Sequence, residues 1–265
     1  MWNLVYASAQ GTSHLQTGQP CQDYCAAVTT DTDQGTVLLA ACADGAGSAE
    51  MAEAGARLAV DTYLATASGA IGRERLGPGA IDQQILRGWI DAARQRLLLE
   101  SESRKLPLRQ FACTFLAAIV WPEFAAFSQI GDGVIVVEDQ GDYHHVFWPE
   151  SGEYANTTRF LTDLDFGKYV HFDVLYRPIQ DVAIVTDGLQ MLALSKATGK
   201  VHDPFFKPMF ENLRRAPNRD ILRDSLSAFL NSSRVNERTD DDKTILLATR
   251  RPLTNHVPNG DTPAD

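Results

Sequence analysis

Hydrophobic residues in this chain come in short runs, and four aspartate-centred turns sit against them. Residues 36–43 are apolar after Thr36 and end at Asp44. Such a run suits a strand covered on both faces. Residues 111–121, 123–130, 134–138 and 143–148 read as successive strands, joined at Trp121-Pro122-Glu123, Gly131-Asp132-Gly133 and Asp139-Gln140-Gly141-Asp142. Links this short predict an antiparallel meander. Residues 3–9, 24–30, 169–176, 181–186 and 243–249 complete the strands, with a turn over 31–35. Residues 11–22 read as a loop, with Gly11, Gly18 and Pro20.

Helical periodicity takes over in between. Ala52, Ala56, Ala59, Tyr63 and Ala67 recur at helical spacing in a helix that begins at Ser48 and ends near residue 67. Its small-residue face predicts close packing on a sheet. After a glycine-rich break over 68–79, a second helix over 80–104 buries Ile81, Ile85, Trp89, Ala92, Ala93, Arg96 and Leu97, and Pro107 closes it. Residues 203–231 hold two more helices. Residues 149–168 form a polar insertion, which suits a lid, and residues 251–265 carry three prolines and read as a disordered tail. Strands, helices, strands, helices and strand do not alternate as a parallel sheet demands. The predicted class is α+β: an α-β-β-α sandwich of two antiparallel sheets flanked by helices, in one domain over residues 1–250.

Composition narrows the function. The net charge of −10 argues against nucleic acid and anionic membranes as partners. No stretch of about 18 apolar residues is present to span a membrane, and the first residues lack a secretory pattern. Cys42 and Cys113 lie in apolar runs; Cys21 and Cys25 have no second pair, which falls short of a zinc-site pattern. A reducing cytoplasm is the expected compartment. His144-His145 would point to opposite faces of a strand and cannot share a metal. Trp89, Trp121 and Trp148 read as packing residues, and Arg214, Arg215 and Arg219 as a solvated helix face.

The chemistry lies in the aspartates. Asp44-Gly45, Gly131-Asp132-Gly133, Asp187-Gly188 and Asp240-Asp241-Asp242 each abut an apolar run. Taken singly, each reads as a common turn. Strand ends distant in sequence meet at one rim of a sandwich, and carboxylates gathered there need a cation. Hard oxygen ligands favour Mg²⁺ or Mn²⁺ over zinc. Gly45 lets a backbone carbonyl approach such an ion.

Six segments in order resemble the metal-dependent type 2C protein phosphatases, in their compact bacterial branch. They are Gly11-Thr12-Ser13-His14 through Cys21-Gln22-Asp23, Ala43-Asp44-Gly45-Ala46-Gly47, Cys113-Thr114, Ile130-Gly131-Asp132-Gly133, Val185-Thr186-Asp187-Gly188-Leu189 and Asp241-Asp242-Lys243-Thr244. The resemblance implies two Mn²⁺ or Mg²⁺ ions, with room for a third, weaker one. Asp44 would bridge the pair, with the Gly45 carbonyl on one ion and Asp187 and Asp241 completing the other. Asp132 with Asp187 would hold the third, and Asp23 would orient metal-bound water. A bridging water would attack phosphoserine or phosphothreonine on a protein substrate, phosphorylated by a cognate serine/threonine kinase. Residues 149–168 fall where the family carries its flap.

Two departures stand out. Gln22 occupies the position where the family usually has Glu, and no Arg precedes it to clamp phosphate. His14 is the candidate replacement, as a phosphate ligand or general acid, against a plain loop histidine; Arg57 and Arg159 are alternative clamps. These departures motivate a second reading, a catalytically weak phosphatase-like module that regulates a partner. A third, an Asp-nucleophile phosphatase, wants Asp-x-Asp where this chain has Asp44-Gly45-Ala46.

Overall fold

In the computed structural model, which describes residues 1–149, 158–216 and 219–250, two five-stranded antiparallel sheets face each other. One sheet runs β1 (Trp2–Ala9), β12 (Lys243–Arg250), β9 (Asp181–Val185), β6 (Val134–Asp139), β7 (Asp142–His145). The other runs β2 (Tyr24–Thr32), β3 (Gly35–Ala43), β4 (Phe115–Val120), β5 (Ala125–Ile130), β8 (His171–Leu175). A two-stranded ribbon, β10 (Leu194–Ser195) with β11 (Lys200–Val201), lies apart.

Strand periodicity explains the layering. Along β4, Leu116, Ala118 and Val120 join Leu38, Phe127, Ile135, Ile184 and Leu246 in the core between the sheets. Phe115, Ala117 and Ile119 point the other way, into a core with α2 (Ala52–Gly72) and α3 (Gln83–Arg104). The outer face of the first sheet packs Val5, Val134, Val185 and Leu247 on α5 (Asp203–Arg215) and α6 (Arg219–Leu230). Four layers result, as the sequence predicts, and strands buried on both faces read as nearly continuous apolar runs.

Small side chains set the spacing of α2 on its sheet. Ala56 and Ala59 are wholly buried, and a side chain at Gly55 would overlap the Phe111 backbone. The helix starts at Ala52 rather than Ser48, and it runs through the expected break to Gly72. Ala70 and Ile71 are buried there, and that contact outweighs the weak helix propensity of Gly69 and Gly72. α3 begins after Asp82, whose side chain accepts the Ile85 N–H at 2.9 Å as an N-cap.

Three expectations are corrected. The Gly131-Asp132-Gly133 link is not a hairpin: β5 pairs with β4 and β8, and β6 with β7 and β9. Three residues reach roughly the 10 Å between packed sheets, so a short link serves a sheet crossing as well as a hairpin. Residues 11–22 are not all loop. α1 (Thr12–Thr17) forms between an extended Gly11 and Gly18, which closes it at φ +71°. Six residues are too few to show periodicity. Arg214 is not merely solvated: its guanidinium holds the buried Asp181 at 2.7 Å, where Tyr143 and Thr249 also donate. Arg215 is exposed as expected.

Trp89 and Trp121 pack in the core as expected, while Trp148 lies at the edge against His145. The segment 149–168 is described only at its ends, and residues 251–265 lie outside the described residues. Among the described residues, no helix is long and apolar enough to cross a membrane.

Candidate active site

The rim of the sandwich gathers the aspartates. β3 ends at Asp44, β9 ends before Asp187, and the sheet crossing carries Asp132. One carboxylate oxygen from each of the three lies within 4.8 Å of the others. They come from three distant parts of the chain, and the two-sheet fold alone brings them together.

Each is held by its local backbone. The Asp44 N–H donates to Thr114 Oγ1 at 3.0 Å, and the Thr114 N–H donates back to the Asp44 carbonyl at 2.8 Å. Gly45 pairs with Cys113 and donates to the Gln22 carbonyl at 3.2 Å. A Cβ on Gly45 would fall 2.8 Å from both Ala52 Cβ and the Gln22 carbonyl oxygen, so only glycine fits. Asp187 opens a single 3₁₀ turn, and a side chain at Gly188 would overlap the Asp242 carbonyl. The Asp132 carboxylate accepts from Thr158 Oγ1 at 2.8 Å, and its carbonyl from Gln190 Nε2.

Asp23 lies beneath this group, buried, with Oδ2 accepting from Thr186 Oγ1 at 2.7 Å. Thr186 Oγ1 in turn accepts the Thr244 N–H at 3.0 Å, tying β12 to the site. Sequence reasoning quoted Thr114, Thr186 and Thr244 within the motifs without giving them a role, and passed over Thr158; the signal for Thr186 was its place directly before Asp187. Asp241 is exposed and sits at the edge of the group, its Oδ1 accepting the Asp242 N–H at 2.8 Å. It is absent from the close trio of carboxylates.

Burial and mutual repulsion make these carboxyls poor acids. Burial, the charges of Asp23 and Asp187, a hydrogen bond to Asp187 and the Asp241 charge push Asp44 well above the carboxylate range. Burial, resisted by hydrogen bonds from Thr186 and Thr244, pushes Asp23 up to about 8, with Asp242 and Asp187 adding repulsion. Burial and Asp132 raise Asp187 to about 6. Oxygens of Asp23, Gln22, Asp132 and Asp187 are buried with no hydrogen-bond partner. Crowded, dry carboxylates with unpartnered oxygens fit divalent cations: oxygen ligands are already in place, and the cation removes the repulsion.

His14 occupies α1 and is largely buried. Its Nδ1 lies 3.0 Å from Asp242 Oδ2, off the line of a hydrogen bond, and its Nε2 lies 4.0 Å from where a Gly47 side chain would begin. Arg57 lies over the Tyr24 ring and Arg159 over the Tyr169 ring. The His144-His145 pair is not part of the carboxylate trio, and His145 packs edgewise on Trp148.

The comparisons agree with this geometry. The family profile described as protein phosphatase 2C matches residues 10–231. Serine/threonine-protein phosphatase 3 of Escherichia coli (strain K12) is 41% identical over 250 residues, covering 93% of this chain and 98% of that protein. Two solved structures share the fold at low identity. The Mycobacterium tuberculosis serine/threonine phosphatase PstP/Ppp matches with TM-score 0.63 at 15% identity, over 95% of this chain and 99% of that one. The serine/threonine phosphatase Stp1 of Staphylococcus aureus matches with TM-score 0.61 at 16% identity, over 95% and 96%. With the aspartate motifs in order, the sandwich that gathers them, and a family match over most of its length, the chain belongs to the protein phosphatase 2C family.

Proposed function

We propose that this chain hydrolyses phosphoserine and phosphothreonine on proteins, using Mn²⁺ or Mg²⁺ held at the sandwich rim. The observation that carries the reading is the convergence of Asp44, Asp132 and Asp187 within 4.8 Å, with an oxygen of Asp132 and one of Asp187 buried without a hydrogen-bond partner. Asp44, with the Gly45 carbonyl, Asp187 and Asp241 would hold two ions, and Asp132 with Asp187 a third. When bound, the ions neutralise the carboxylates and activate water for attack on phosphorus.

The chain's own residues do the rest. Asp44 and Asp187 gather positive charge where phosphate must sit. Asp23, fixed by Thr186 and buried, accepts a hydrogen bond from water above it. Gln22 brings an amide where a carboxylate would add charge, so an ion held beside it would have one anionic ligand fewer. His14 presents Nε2 beside Gly47, where it donates to a phosphate oxygen or to the leaving serine oxygen. Thr158 links the described end of the 149–168 segment to Asp132, which supports a flap that shapes access.

The cellular setting follows from the same reading: cytoplasmic action on phosphoproteins, opposed by a cognate serine/threonine kinase. The four cysteines are unpaired, in keeping with a reducing compartment. The competing reading, a regulatory module without turnover, draws on Gln22 and the missing arginine. Peptides carrying phosphothreonine, phosphoserine or phosphotyrosine, presented with Mn²⁺, separate the readings. Release of phosphate from the first two, with phosphotyrosine slower by at least about tenfold, supports the phosphatase. No release from any peptide by folded protein favours the regulatory module.

A further inference from the structure

Asp242 does something other than hold an ion. Its side chain is buried, stands outside the Asp44, Asp132 and Asp187 trio, and faces the segment that carries His14. Oδ1 accepts the Gly11 N–H at 2.6 Å, and Oδ2 accepts the Gln22 N–H at 2.5 Å. These two residues bracket the segment that carries α1. Between them, His14 Nδ1 stands 3.0 Å from the same Oδ2. The backbone is fitted to the arrangement: a side chain at Gly11 would overlap the backbone of Asp240 and Asp241, and the Ser13 N–H donates to the Asp240 carbonyl at 3.0 Å.

We infer that Asp242 is a positioning residue, which fixes the His14 imidazole with Nδ1 toward its carboxylate and Nε2 toward the phosphate site. Nδ1 lies off the line of a hydrogen bond, but a carboxylate accepts only and a bare ring lone pair at 3.0 Å would be repelled by it, so the nitrogen beside it is the one that carries the proton. That leaves Nε2 as the nitrogen that accepts a proton, and that donates to the substrate once it has taken one up. The pairing has the logic by which a buried aspartate sets the tautomer and orientation of a catalytic histidine. Here it would fix, on a six-residue helix, an imidazole in a segment where no arginine precedes Gln22. The inference rests on the phosphatase reading for what Nε2 meets, but not for which nitrogen is protonated.

The test has two arms. In metal-free protein labelled with ¹⁵N-histidine, at about pH 8.5 where ordinary imidazoles are neutral, the ring-nitrogen shifts of His14 report its tautomer. We expect the proton on Nδ1, and a loss of that preference in Asp242→Asn. A proton on Nε2 in the unaltered protein overturns the inference, whether or not any variant folds. In the second arm, Asp242→Asn is expected to lower kcat/KM about 10- to 100-fold. The same change in a His14→Ala background should cost almost nothing further. A full additional loss there would mean that Asp242 acts independently of His14, and would overturn it. A protein that hydrolyses no phosphopeptide sinks the phosphatase reading instead, and the tautomer then decides the pairing alone.

Discussion

At the scale of single residues, Gln22 is the most informative departure. Its side-chain oxygen is buried without a partner, beside Asp23 and under Gly45, where a carboxylate would carry charge. Gln22→Glu therefore adds an anionic ligand at nearly constant volume. We expect it to tighten binding of the weaker divalent ion by about tenfold, on the order of 1.4 kcal/mol, measured by calorimetric titration of Mn²⁺ into chelator-stripped protein. Unchanged affinity would show that position 22 does not face the ion. The individual aspartates were legible in the sequence because each abuts an apolar run. Their division of labour was not. Asp241 and Asp242 are neighbours in an acidic turn, and only the placed backbone separates the exposed one at the site's edge from the buried one that faces His14.

At the scale of elements, the helices and strands followed from periodicity, while their ends and partners depended on contacts that pattern does not carry. The small-residue face of α2 announced close packing, and Ala56 and Ala59 are indeed fully buried against the sheet that ends in Asp44. Ala59→Leu inserts volume where nothing can yield, so we expect destabilisation by about 1–3 kcal/mol in urea unfolding. A neutral result would mean that this helix sits looser on the sheet than its contacts indicate. The Gly131-Asp132-Gly133 link shows the opposite case. Its length suggested a hairpin, yet it carries the chain between sheets, and that crossing delivers Asp132 to the rim. Short-range pattern is blind to which sheet a strand joins, because both arrangements use the same turn residues. α1 was missed for a related reason: a single glycine-bounded turn leaves no hydrophobic stripe to read.

At the scale of the whole molecule, the four-layer architecture stabilises itself through the apolar cores between its layers and carries at its rim a group of carboxyls that oppose each other. Folding raises Asp187 to about 6 and Asp23 to about 8, chiefly through burial. The folded state thus binds protons that the unfolded chain releases near 3.8. The stability this contributes is full below about 3.8 and is lost as pH rises through about 6 and then about 8. The metal-free protein should therefore melt at lower temperature at pH 8.5 than at pH 5.5, and millimolar Mn²⁺ should reverse the loss at pH 8.5. A melting temperature that climbs with pH in the absence of metal would contradict this electrostatic account. The sandwich itself was readable from strand order, whereas the mutual approach of three aspartates needed the sheets in place.

The most direct test of the central claim is phosphothreonine-peptide hydrolysis by chelator-stripped protein, with Mn²⁺ titrated back, alongside Asp44→Asn. The account predicts no turnover without metal, saturable activation as metal is added, and loss of at least about 100-fold in kcat/KM in the variant. Metal-independent turnover, or activity retained by folded Asp44→Asn, would contradict it.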